Sequence, residues 1–261
     1  MMNIVLNKDK KVGQVIYIVE GLVKEFSLLK HIFTKILDYT FIEVKSATKN
    51  AYTFKSKKDF NSRICVIKSE NSNISSISSY TEYIDSIYKM LMSEYDIDVN
   101  NAAIFYIFDR DPQSNKNSGL IKDLLIHLSH SRDDNQDYVG NGLLLLSYPC
   151  IESYVISCFE SDMQVSYTQS HDLKSYLDSN QYHQNRITQE SMQNAAMTMI
   201  MSLKNLCEYN FNENDLDNFG HINVKIFGEE EKYYHQSSMY KLLSLLSISF
   251  FDLGILSLTD E

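Results

Sequence analysis

Two short apolar runs in this chain stop abruptly at acidic residues, and that pairing narrows the folds open to it. The first, Val15-Ile16-Tyr17-Ile18-Val19, ends in Glu20-Gly21. The second, Ile104-Phe105-Tyr106-Ile107-Phe108, ends in Asp109-Arg110-Asp111. Runs this short and this rich in β-branched and aromatic residues read as buried strands of a parallel sheet. Ligands collect beyond the carboxyl ends of such strands. If the two strands are neighbours, Glu20, Asp109 and Asp111 converge there. Asp109 and Asp111, two apart, share a side while the chain stays extended. Grouped hard oxygens suit a divalent cation, Mg²⁺ or Mn²⁺. A glutamate not committed to the metal can act as general acid or base.

The remaining pattern extends the alternation of strand and helix. Gly21 permits a tight turn, and Phe26, Leu29, Ile32, Phe33 and Ile36 recur at helical spacing through 23–37. Strands are expected around Phe41 to Val44 and Ile64 to Ile67, with a hairpin or a loop between them. The Ser- and Asn-rich stretch 70–79 reads as a loop, 81–95 as a helix, and Asn100-Asn101 as the turn into the second acidic strand. Pro112 ends that strand, and Leu120 to Leu128 is the next helix. Gly140-Asn141-Gly142 reads as a turn before the apolar run Leu143 to Leu146. Pro149 suits the first turn of a following helix, with Glu152 in its opening turn and Tyr154, Val155, Ile156 and Phe159 as its buried stripe.

From about Ser161 onward the pattern is mainly helical. It includes a Met-rich stripe over Ser191 to Leu206 and a last helix over Met239 to Phe251 that is apolar nearly all round. The fold class is therefore α/β, a mostly parallel sheet flanked by helices with a helical C-terminal extension. The expected domains are a catalytic domain over 1–160, carrying an insertion at about 45–100, and the extension over 161–261.

A net charge of −10 argues against a broadly nucleic-acid-coating surface. Lys45, Lys49, Lys55, Lys57, Lys58, Arg63 and Lys68 nonetheless make one stretch locally basic. It is either a solvated face or a stripe that meets phosphates. Cys65, Cys150, Cys158 and Cys207 lack CxxC spacing and read as buried thiols of a reducing compartment. The opening MMNIVLNKDKKVGQ lacks the long apolar stretch of a signal peptide. Lys241 and Asp252 interrupt the one membrane candidate, Tyr240 to Leu258, so no membrane partner and a cytoplasmic location are expected. His127 and His130 are three apart on an expected helix, but no third ligand accompanies them, and surface histidines are the simpler reading. No Walker A loop, GxGxxG, HExxH or GxSxG occurs.

Three segments together resemble Toprim domains. The run from Val15 to Gly21, followed by a helix with Glu25, is similar to their first motif, and Ile107-Phe108-Asp109-Arg110-Asp111 to their DxD motif. Leu146 to Val155 is similar to the NPxxExW-type segment of standalone Toprim-like nucleases in abortive-infection and phage-defence systems, RloB-like and OLD-type effectors among them. Tyr148 and Tyr154 stand where those relatives commonly carry Asn and Trp, and Leu22-Val23-Lys24 where many carry an Asp or Thr.

The resemblance implies a Toprim-like fold and Mg²⁺- or Mn²⁺-dependent endonucleolytic cleavage of DNA or RNA in anti-phage defence. It gives Glu20 the general acid/base or metal-bridging role, makes Asp109 and Asp111 metal ligands, and adds Glu152 as a further site carboxylate. Glu25 either joins the site or faces solvent, and solvent is the expectation. Lys24, Lys55, Lys57 and Lys58 are the cations expected on the nucleic acid. A regulatory ATPase and a homo-oligomeric state are the expected partnerships, by analogy alone. Rival readings are a nucleotidyl-transfer enzyme and a non-catalytic, Toprim-shaped binding or regulatory module.

Overall fold

The computed structural model describes residues 2–21, 23–43, 51–69, 79–94, 99, 102–132, 142–161, 166–167 and 170–260. Lys45, Lys49, the expected loop at 70–78, the turn at Asn100-Asn101 and the Gly140-Asn141 pair lie outside them. In chain order the strands are β1 (Met2–Leu6), β2 (Gln14–Val19), β3 (Tyr39–Glu43), β4 (Ala51–Ser56), β5 (Arg63–Lys68), β6 (Ala103–Asp109), β7 (Ser129–His130), β8 (Gly142–Tyr148), β9 (Ser166–Tyr167), β10 (Tyr240–Lys241), β11 (Leu243–Ser244) and β12 (Leu256–Asp260). The helices are α1 (Lys24–His31), α2 (Tyr80–Lys89), α3 (Ser118–His127), α4 (Glu152–Ser157), α5 (Ser170–Asn180), α6 (Gln189–Cys207), α7 (Phe219–Ser237) and α8 (Leu246–Asp252). Two compact units result. The sheet unit comprises Lys11–Ile107 and Gln113–Leu144, and the helical unit Met1–Lys10, Phe108–Pro112 and Leu145–Glu261.

Within the sheet unit, β2 pairs in parallel with β5 on one side and with β6 on the other, Val19 standing opposite Lys68 and Ile107. Val15 to Val19 are fully buried, as are Ile64, Val66 and Ile67 of β5 and Ala103 to Tyr106 of β6. Two covered faces explain why these strands read as continuous apolar runs instead of alternating ones. Helices α1 and α2 both run on into π-helical turns, Ile32–Ile36 and Met90–Glu94. The stripe Leu28, Leu29, Ile32, Phe33 and Ile36 is buried. Phe33 lies against Tyr17 at 5.7 Å and Phe54 at 5.6 Å between ring centroids. Ser79 caps α2 by accepting from the Glu82 N–H at 3.2 Å, and Asn117 caps α3 by accepting from the Leu120 N–H at 3.1 Å.

The edges depart from a mostly parallel sheet. β3 pairs antiparallel with β4, β4 with β5, and β7 with β8. The short reversal between β4 and β5 makes the segment a hairpin, and a connection that brief can join only antiparallel strands. The result is an α/β architecture with a mixed sheet whose centre is parallel.

In the helical unit the two ends of the chain meet. β1 pairs antiparallel with β12 from Met2↔Asp260 to Leu6↔Leu256, and the Gln193 side chain of α6 donates to the Ile4 carbonyl at 2.6 Å. The expected helix over Met239 to Phe251 is corrected. Tyr240–Lys241 and Leu243–Ser244 spend their backbone groups on β9 and β8, and only Leu246–Asp252 is helical. The described residues after 160 lie in this unit, which also contains the turn and helix that carry Cys150 and Glu152. No helix among the described residues is long and apolar enough to cross a membrane. All four cysteines are free and buried.

Gly142 has φ +137°, and a Cβ there would lie 2.4 Å from Tyr106 Cε2. Tyr106 is fully buried and cannot swing away. Gly142→Ala combines backbone strain with overpacking, so urea unfolding should show a loss of about 2–4 kcal/mol, measured as a lower midpoint at unchanged slope.

Candidate metal centre

The acidic end of β6 belongs to the helical unit. Burial alternates along it: Asp109 is half-buried, Arg110 is buried and Asp111 is half-buried, as a nearly extended chain dictates. The Arg110 N–H donates to the Ser147 carbonyl of β8 at 2.9 Å. Asp109 Oδ1 accepts from the Ile151 N–H at 2.8 Å. That bond holds the turn between β8 and α4, helped by Ser153 Oγ donating to the Tyr148 carbonyl at 2.7 Å. The turn contains the cis Tyr148–Pro149 bond. Because α4 begins at Glu152, Pro149 precedes the helix instead of occupying its first turn.

Cys150 and Glu152 ride on this turn. A ligand atom from each of Asp109, Cys150 and Glu152 lies within 4.8 Å of the others. Cys150 and Glu152 are buried, while Asp109 keeps an exposed side. A carboxylate has about four lone-pair sites, so the bond from the Ile151 N–H does not by itself exhaust Asp109. Burial pushes the Cys150 thiol well up, and the Asp109 and Glu152 carboxylates push it further. Two of the three donor groups are carboxylates, so hard oxygens dominate the donor set. That chemistry fits Mg²⁺ or Mn²⁺ better than a thiolate-seeking ion.

Of the expected site residues, the structure thus brings Asp109 together with Glu152. Asp111 is not one of the three. Glu20 follows β2 in the sheet unit, where the buried Tyr83 phenol, pushed up first by burial, is pushed further by the Glu20 charge. Lys24, Lys55, Lys57 and Lys58 are all exposed, and Lys57 forms an ion pair with Asp38. Glu25 does not face solvent. It is buried and accepts the Gly21 N–H at 3.2 Å, because the chain folds back over the first turn of α1. The His127–His130 spacing carries no metal geometry: His127 ends α3 and stacks on Tyr80 at 3.7 Å, whereas His130 sits in β7. Sequence reasoning took Cys150 as a bland core thiol. Its place two residues before Glu152, on the same turn, was the available signal.

Beside this group, on the opposite side of the chain, Arg110 is clamped. Its Nε and one terminal nitrogen each donate to the Glu231 carboxylate at 2.8 Å, and its guanidinium stands 5.7 Å from the Phe227 ring and 5.5 Å from the Tyr240 ring. Tyr240 Oη also donates to Glu231 at 2.8 Å. The adjacent Glu230 is fully buried, and its Oε2 accepts the Lys241 N–H at 3.1 Å. Burial pushes the Glu230 carboxyl up to about 8, the Glu231 charge adding to the rise and the Lys241 hydrogen bond and charge opposing it.

A folded-state value raised from 4.5 to about 8 means that Glu230 opposes folding only once the unfolded chain ionises it. Its contribution is fully present below about pH 4.5 and is lost progressively as the pH rises to about 8. Glu230→Gln should flatten this part of the stability profile, read by urea unfolding from pH 4 to 9. Each tenfold change in proton affinity on folding is worth roughly 1.4 kcal/mol, so the variant should gain a few kcal/mol over the wild type at pH 8.

Comparison with known proteins finds no family model that matches the chain, no curated protein similar to it and no solved structure similar to it.

Proposed function

We propose that this chain is a divalent-metal-dependent phosphodiester hydrolase acting on DNA or RNA, with Asp109 and Glu152 as its metal-holding carboxylates. One observation carries the reading: a strand-end aspartate and a helix-start glutamate, far apart in sequence, are packed within 4.8 Å in one corner with a thiol. Like-charged carboxylates brought that close repel unless a cation or a shared proton relieves them. A bound Mg²⁺ or Mn²⁺ would supply that charge, polarise the phosphate and lower the pKa of a coordinated water.

The chain's own residues prepare the corner. Asp109 is oriented by the Ile151 N–H, and Glu152 is fixed by the first turn of α4. Arg110, the next residue, makes two hydrogen bonds to the Glu231 carboxylate. The Toprim resemblance extends this reading to a Toprim-like fold and a phage-defence effector governed by an ATPase partner, and gives Glu20 the acid/base role and Asp111 a ligand role. Lys24, Lys55, Lys57 and Lys58 would then meet the backbone of the substrate.

Plasmid DNA and tRNA incubated with the full chain should be cut with Mg²⁺ or Mn²⁺ and spared with EDTA. Asp109→Asn and Glu152→Gln should each lower the rate about a hundredfold or more while leaving the thermal midpoint within a few degrees. Glu20→Gln tests the acid/base role separately, through loss of the basic or acidic limb of the pH–rate profile. Undiminished cleavage by both site variants would falsify the assignment. Metal binding by calorimetry with no cleavage would favour the non-catalytic module.

A further inference from the structure

The β4–β5 hairpin of the sheet unit ends in a tip that its own fold does not explain. Phe60 is 97% exposed, the extreme among the large apolar side chains described. The turn around it is tied down. Ser56 N–H donates to the Ser62 carbonyl at 3.0 Å, Ser62 N–H to the Asp59 carbonyl at 3.1 Å, and Ser62 Oγ to Asp59 Oδ2 at 2.6 Å. Ser62 Oγ also accepts the Val12 N–H at 3.0 Å, and the Arg63 N–H donates to the Gly13 carbonyl at 2.9 Å. Phe60 is therefore presented on a fixed turn, where an aromatic ring gains nothing from folding.

At the base of the same turn, Lys55 and Arg63 stand directly opposite each other across the ladder. Like charges at directly opposed positions destabilise a sheet. Lys57, the next cation along, is held by Asp38. An exposed ring on a turn whose base carries two opposed cations matches a polymer that is both flat-faced and anionic.

We propose that the hairpin tip, residues 55–63, binds an unpaired nucleic-acid strand, with Phe60 stacking on a base and Lys55 and Arg63 on adjacent phosphates. The inference rests on the phosphodiesterase reading for its substrate class and narrows that substrate to strands whose bases are accessible. Duplex DNA buries its base faces and offers Phe60 nothing to stack on. A lipid surface would need a broader apolar face than one ring supplies.

Binding is measured in EDTA, so that no turnover intervenes, by fluorescence anisotropy of labelled oligonucleotides of about 12 nucleotides, a length within single-strand site sizes. The DNA and RNA arms identify the strand, and a duplex of the same sequence serves as the comparison. Phe60→Ala should weaken single-strand affinity about tenfold, and Phe60→Trp should retain it. An abasic nucleotide scanned through the oligonucleotide should weaken the wild-type chain and add little to Phe60→Ala. Lys55→Gln and Arg63→Gln should each reduce the slope of log affinity against log salt by about 0.7.

Equal affinity of Phe60→Ala and wild type overturns the assignment. So does binding confined to phosphatidylserine vesicles, which would make the tip a lipid contact. Inactive Asp109 and Glu152 variants alongside a normally binding Phe60→Ala would remove the hairpin contact alone. Strand binding that depends on Phe60 in a chain that cuts nothing would remove the nuclease reading alone.

Discussion

Everything in the helical unit's candidate site depends on how one strand end is anchored. Asp109 and Arg110 are consecutive, and the pleat sends them to opposite sides. Asp109 then holds the β8–α4 turn through the Ile151 N–H, while Arg110 holds α7 through two hydrogen bonds to Glu231. Burial pulls the Arg110 guanidinium down, but the Glu231 bonds and charge, together with the Tyr240 and Tyr148 phenols, more than offset this, so its charge survives in the interior. Stranding one partner of a buried ion pair costs about 3–5 kcal/mol. The pair is therefore a strong positional constraint, whatever its net worth against an apolar substitute. The position of Asp109 relative to Cys150 and Glu152 is fixed from both sides of the chain at once.

The parts of this fold legible in the sequence are those where burial leaves a one-dimensional mark. β2, β5, β6 and β8 are covered on both faces, so each appears as a continuous apolar run, and the acids at the ends of β2 and β6 mark where cover ceases. α6 was legible for the related reason that Met192, Ala196, Met199 and Leu203 recur on one side. By contrast, β1 and β12 pair across the whole length of the chain, and five-residue strands of mixed polarity carry no periodic signal that names their partner. The segment 239–251 misled because an all-round apolar run fits a buried helix or buried strands equally well. Only the β8 and β9 partners decide it.

The site was legible in its carboxylates and illegible in their surroundings. Asp109 and Glu152 could be named because acids after buried strands are conspicuous. Glu25 looked like a solvent-facing helix residue because its partner is the Gly21 backbone N–H, which every sequence position offers alike. Glu230 and Glu231 sit in the run Gly228-Glu229-Glu230-Glu231-Lys232, whose composition suggests a solvated helix face. Yet two of its three acids point inward. They can do so because Arg110 and Tyr240 satisfy Glu231, while Glu230 avoids the penalty of a buried charge by holding its proton at neutral pH.

The same distinction between local and summed quantities governs what the net charge of −10 can say about partners. In physiological salt, exposed charges are screened beyond about 8 Å. A ligand at the β4–β5 turn therefore senses Lys55, Arg63 and their nearest neighbours, and hardly senses acids elsewhere on the chain. Whole-chain acidity weakens long-range attraction and slows encounter with a polyanion, which lowers non-specific binding. It does not weaken a contact made by stacking and by two cations placed side by side. An acidic chain with one basic, aromatic-tipped hairpin is thus expected to bind few nucleic-acid sites and to discriminate by base accessibility, because its attraction is confined to where a ring can meet a base.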